Sequence, residues 1–156
     1  YLNVINLVAN QVPLNVVGAT SQTADLQLWL DSGLNTVAKI DANGNLKGGL
    51  VYEINIQSGT SYTFALSDSK SVVLLSNENN ITAYVPTNSI AFPIGSSITV
   101  VQAGLGQVTI QALTPATTTI LSNAVTSATP RLRGYGSSVT LIKINTEQWF
   151  AVGDIY

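Results

Sequence analysis

The sequence predicts an all-β protein in two parts, a short β stem over residues 1–57 followed by an antiparallel β-sandwich or barrel-like head over residues 58–156. Three observations lead there. Short β-branched and alternating apolar runs recur along the whole chain. Gly, Asn, Asp and Pro, the residues that close turns, stand between them. Nowhere does an apolar 3.6-residue period persist for three turns behind a capping residue, so little helix is expected.

In chain order the strand signals begin in the stem with NVINLV (3–8), DLQLWL (25–30) and TVAKID (36–41). LVYEINI (50–56) stands just before the join at QSGTS (57–61). The head continues with SYTFAL (61–66), SVVLL (71–75), ITAYV (81–85), SITVVQ (97–102) and QVTIQ (107–111). TTTIL (117–121), SVTLIKI (138–144) and QWFAVGDI (148–155) complete the set. Asn43-Gly44 is a hairpin signal, and Gly104-Leu105-Gly106 and Asn145-Thr146 read as turns between neighbouring strands, so an antiparallel meander is expected. The Thr-, Ser- and Ala-rich stretch 112–130 reads as a long loop with one short strand inside it.

Composition narrows the function classes. Hydrophobic residues make up 46% of the chain and charged residues 9%, too apolar for a disordered segment and short of the charges that coat most monomers. Six basic and eight acidic residues, scattered singly, form no stripe that could follow a phosphate backbone, so no nucleic acid partner is expected. No apolar run approaches the ~20 residues of a membrane-spanning helix, and no membrane insertion is expected. The chain opens at Tyr1 without an initiator Met and is read as a fragment. With no Cys, His or Met there is no disulfide, thiol nucleophile, Cys/His zinc site or Ser-His-Asp triad, and neither cofactor nor metal is expected.

The stem strand 25–30 raises a packing problem. Leu26, Leu28 and Leu30 point one way and Trp29 the other, and the next strand adds Val37 on one face and Ile40 on the opposite one. A strand that is apolar on both faces needs two covers, and no amphipathic helix is available to supply them. Other copies of the chain wound about a common axis would do so, the alternative cover being the C-terminal domain of the same chain, which makes Leu26, Leu28, Trp29, Leu30, Val37 and Ile40 candidates for a homotrimer interface.

Motifs that could carry chemistry are weak. SDSK (67–70) has a Ser-x-x-Lys spacing but lies between strands rather than opening a helix, and reads as a hydrogen-bonding turn. DANGN (41–45) supplies three oxygen ligands of a calcium loop, but its Gly falls two positions early and no Glu closes it. Asp25 and Asp31 would stand ~20 Å apart on one strand, too far for a glycosidase pair. Glu147 and Asp154 fall on opposite faces of theirs. No catalytic residue is assigned.

The segment GATSQTADLQLWLDSGLNTVAKIDANGNL (18–46), with Gln22-Thr23-Ala24, Trp29 and the closing IDANGN, resembles a segment of the tail fibres and related virion appendages of tailed bacteriophages. Leu28 and Leu30 depart from that pattern by being more apolar. SIAFPIGSSITVVQAGLGQVTI (89–110) and RLRGYGSSVTLIKINTEQWFAVGDI (131–155) are similar to a domain that often follows in such proteins. The resemblance implies a trimeric, β-rich structural protein of the virion, made in the host cytoplasm and attached to other virion proteins on its N-terminal side. Its head loops would then face a host-surface glycan or protein. Asn77, Asn79 and Asn80 in NENN, Tyr135 in the GYG turn, and the stretch 114–129 are the receptor-contact candidates, with Arg131 and Arg133 beside Tyr135. Two alternatives stand beside a tail fibre: a head fibre or capsid-decorating protein, and a glycan-degrading tailspike. The long solenoid repeats expected of a tailspike are not visible in the sequence.

Overall fold

The computed structural model describes residues 16–48 and 51–156, and the strand expected at 3–8 lies outside them. The chain divides into two compact units, residues 1–51 and 52–156. Strands dominate both, and the one helical element described is a 3-10 turn, Leu66–Asp68.

The first unit contains an antiparallel meander of β1 (Gln27–Leu30), β2 (Thr36–Ile40) and β3 (Leu46–Gly48). Its two turns repeat one device. Asp31 Oδ1 accepts the amides of Gly33 and Asn35 at 2.8 and 2.9 Å, and Asp41 Oδ1 accepts those of Asn43 and Asn45 at 3.0 and 2.9 Å. Each turn closes through a residue in the left-handed region, Gly44 at φ 82° in one and Leu34 at φ 65° in the other. Leu34 carries the steric cost that Gly44 avoids. Register sorts the side chains by face. Trp29, Ala38 and Gly48 share a row, as do Gln27, Ile40 and Leu46 on the same face. Leu28 instead lies level with Lys39 and Lys47, which form ion pairs with Asp25 and Asp41 at 2.9 and 2.8 Å. Val37 is passed over in the pairing as a bulge between Trp29–Ala38 and Leu30–Thr36.

The second unit corrects the expected pairing direction. From β4 (Ile54–Gln57) to β9 (Val108–Ala112) the chain alternates between two sheets. β4, β6 (Val72–Leu75) and β8 (Ser97–Gln102) pair in parallel in one, and β5 (Ser61–Thr63), β7 (Ile81–Val85) and β9 in parallel in the other. These are three coils of a two-sheet solenoid, not an antiparallel head. From the second coil to the third, Val72 lies beside Thr99 and Ile81 beside Val108, the same 27-residue offset in both sheets, whereas the first step is shorter and unequal, Ile54 beside Val72 and Ser61 beside Thr82. The strand 54–57, assigned to the stem from sequence, is the first of these coils. Antiparallel pairing enters only at the far end, where β11 (Ser138–Asn145) lies beside β8 and turns back into β12 (Gln148–Gly153). β10 (Thr119–Leu121) joins β12 in parallel and completes a six-stranded sheet, order β10-β12-β11-β8-β6-β4.

Alternation along each strand decides what is inside. Val73, Leu75, Ile98, Val100 and Leu141 of the six-stranded sheet meet Ile81, Ala83, Val108 and Ile110 of the three-stranded sheet in one buried core. Phe92 stands edge-on to Trp149, centroids 5.3 Å apart. Trp149 is thus core, while Phe150, its neighbour, points outward. Lys143 is also buried, its Nζ donating to Asn88 Oδ1 at 2.6 Å and lying 5.9 Å from the Trp149 ring centroid.

The two outer faces differ. On the three-stranded sheet the outward rows are Ser61–Thr82–Thr109 and Thr63–Tyr84–Gln111, all able to hydrogen-bond water. On the six-stranded sheet they are Ile54–Val72–Thr99–Thr140–Val152, Ile56–Leu74–Val101–Ser138 and Ser97–Ile142–Phe150–Leu121.

Candidate functional site

Four turns carry the chain across one edge of the second unit, at residues 58–60, 76–80, 103–107 and 134–137, and they stack in that order. Asn77 Nδ2 donates to Ser58 O at 2.5 Å, tying the second turn to the first. Gly106 N donates to Asn77 O at 2.8 Å, and Gly136 N to Gln102 O at 2.9 Å, tying the third and fourth. The stack is tight enough to dictate sequence. A Cβ at Gly104 would stand 2.3 Å from Asn77 O, and one at Gly106 1.9 Å from Asn79 O, so only glycine fits at either position.

The receptor-contact candidates therefore share one edge. Asn77, Asn79 and Asn80 lie on the second turn and Tyr135 on the fourth. Their side chains are differently committed. Asn77 Oδ1 also accepts the amide of Asn79 at 2.8 Å, and Asn80 Oδ1 accepts that of Gln107 at 3.2 Å, so these two asparagines hold turns together. Asn79 is exposed, and Tyr135 is 72% exposed. Between them stands Leu105, 78% exposed at the tip of the third turn, which sequence reading passed over as a turn residue. A turn tip has no periodicity to mark an apolar side chain as displayed rather than buried.

The remaining singled-out residues have structural partners. Arg133 pairs with Asp154 at 2.9 Å, and Ser137 Oγ donates to the same carboxylate at 2.7 Å. Arg131 lines a cleft of about 300 Å³ with Val125, Thr126, Thr129 and Tyr156. The stretch 114–129 begins at the opposite edge, where β9 ends. Within it Thr118 is buried, its hydroxyl donating to Glu147 Oε2 at 2.8 Å, and Ser122 and Ser127 close a separate loop. Glu147 also accepts the Asn88 amide at 2.8 Å.

In the first unit Trp29 is 42% exposed, Leu28, Leu30 and Val37 are also exposed, and Leu26 and Ile40 are half-buried. Asp41 does not present a calcium-loop geometry. Its carboxylate is filled by two amides, the Asn45 side chain and the Lys47 ammonium. Lys47 above all, with the Asn45 bonds, holds this carboxyl far below the usual range, and Asp41 in turn raises the Lys47 ammonium above its own. Backbone and side-chain bonds from Asn35 lower Asp31 in the same manner.

Among the described residues no group of three or more His, Cys, Asp or Glu stands together, and no helix is long and apolar enough to cross a membrane. No family model matches the chain, and no curated protein matches it.

Proposed function

We propose that the protein is a structural appendage of a bacteriophage virion, the distal part of a tail fibre, that assembles as a homotrimer and holds the host surface without covalent chemistry. One observation carries the adhesive part. Asn79, Leu105 and Tyr135 are displayed on three successive turns whose backbones are locked to one another, a rigid strip that offers an amide, an apolar contact and a stacking face at once. Stacked strands are ~4.8 Å apart, so the strip is ~10 Å long, the size of one or two sugar rings. The exposed Trp29 face of the meander supports assembly, and the likeness of residues 18–46 to phage fibre segments supports the setting.

One such strip would bind weakly, but three on a trimer could raise avidity 10² to 10⁴-fold. Purified protein is expected to bind host cells and slow phage adsorption. Tyr135→Ala combined with Asn79→Ala should weaken binding at least ~10-fold while the melting temperature shifts by no more than ~2 °C, since neither side chain supports the core. Intact protein that neither binds cells nor competes with phage would leave a head-fibre or capsid-decorating role in its place.

The solenoid favours a second reading, a glycan-cleaving tailspike. Against it, Asp68 and Glu147 are fixed in hydrogen bonds to neutral partners. Release of reducing sugar from host polysaccharide would select this reading.

A further inference from the structure

We propose that the outer face of the six-stranded sheet is covered by the same face of a second copy of this chain. The inference goes beyond the appendage reading and rests on the head alone. Three outward rows run across the sheet, and apolar side chains dominate each of them. Ile54, Ile56, Phe150 and Val152 are 63%, 66%, 42% and 58% exposed. With their partly covered neighbours they offer roughly 600 Å² of apolar surface, at the top of what a lone soluble chain leaves bare and near the ~800 Å² each partner gives to a stable interface.

The contrast with the three-stranded sheet shows that this is not how the fold treats every outer face. There the equivalent rows are filled with Ser, Thr, Tyr and Gln. The two sheets share coils and turns, so the difference lies in what each face meets.

Charge identifies the occupant. The outward positions of all six strands carry no Asp, Glu, Lys or Arg, only aliphatic and aromatic side chains with Ser, Thr and Gln between them. A different protein is selected over others mainly by complementary charge, and this face offers none. Its own copy meets it without repulsion. Thr99 and Thr140 stand in the middle of the longest row, where a hydroxyl can satisfy its counterpart across a symmetry axis.

The chain has no cysteine, so single thiols report cleanly. Thr140→Cys places one on the apolar face and Thr82→Cys one on the hydroxyl-lined face, both partly covered in the single chain. In full-length protein at micromolar concentration, sedimentation should give a multiple of the chain mass. The thiol at 140 should then react with a maleimide at least 10-fold more slowly than the thiol at 82, and adding Ile56→Asp and Val152→Asp should abolish that protection. Protection that survives the two aspartates overturns the proposal. A multimer in which both thiols react equally also overturns it, while leaving assembly through the meander intact. A monomer with the thiol at 140 protected means that a segment of the same chain is the cover, and overturns it too. A monomer with both thiols reactive overturns this proposal and the trimeric appendage together.

Discussion

At Asp68 the head buries a carboxylate whose partners among the described residues are all neutral donors. Asn55 Nδ2 reaches Oδ1 at 2.7 Å, and the Tyr62 hydroxyl and the Ala65 amide reach Oδ2 at 2.8 Å each. Asn55 and Tyr62 belong to the first coil, so one side chain pins that coil to the next. Asp68→Ala would leave three donors without an acceptor and should cost roughly 3 kcal/mol, a fall of more than ~10 °C in melting temperature. Thermal unfolding checks this, and a fall under ~3 °C would show that water replaces the carboxylate. Burial, and then the bond to Asp68, pushes the Tyr62 phenol up to about 12. Its share of stability is complete below its ordinary pKa near 10 and is lost as pH rises through about 12. Sequence reading saw only SDSK here, because the residues that make Asp68 important lie far from it along the chain.

At the scale of elements, strands were legible and their partners were not. Each of the expected runs that falls within the described residues became a strand, because alternation of β-branched and polar residues records which side faces a core. The short strand Leu46–Gly48 was missed, having one large apolar residue and a glycine. Pairing direction was misread because Gly104-Leu105-Gly106 looks the same whether the chain turns back beside itself or crosses to a facing sheet. The 27-residue offset of the last two coils was the available signal, but the first step does not share it and coil-to-coil identity is low: Leu75 is matched by Gln102 and Val85 by Ala112. In the meander the Asp41 turn predicts a pH response. Its folded-state pKa is depressed, so its contribution is present above the ordinary carboxylate value of ~3.9 and is lost as pH falls below it. The Lys47 contribution, with a raised pKa, is lost only above ~10.4. Urea unfolding of the meander, followed by Trp29 emission in a Trp149→Phe background, should therefore require less urea below about pH 4 than at pH 7, and Asp41→Asn should flatten that dependence. A pH-independent midpoint in the unmodified protein would remove the ion pair from the account.

For the molecule as a whole, sparse charge has an energetic meaning. With 9% charged residues, surfaces are built from hydroxyls and amides on some faces and from bare aliphatic groups on others. Both units leave such groups exposed in the single chain. Sequence reading anticipated this for the meander because strand 25–30 is apolar on both sides. It overlooked the head because parity there is set by coil geometry. Register also redistributes the stem candidates: Trp29, Ile40 and Leu46 share the apolar face, whereas Leu28 stands among paired lysines. Trp29→Asp should therefore break up a trimer more effectively than Leu28→Asp, because a carboxylate without a partner would enter the contact in every copy. Sedimentation at micromolar concentration should give a multiple of three chain masses for the unmodified protein and fewer for Trp29→Asp. A monomeric unmodified protein would end the trimer.

The shared offset of the second and third coils has a consequence for how such a head changes over generations. Because both sheets advance by the same number of residues between the second and third coils, that coil is a self-contained quantum of length. Duplicating it would add one strand to each sheet, lengthen the stack by ~4.8 Å, and leave the first coil and the terminal hairpin with the neighbours they already have. The added turn would bring its own glycine-spaced tip to the displayed edge. Reach and recognition area could thus grow together by recombination within the gene, in whole steps, with no new fold to be found at either end.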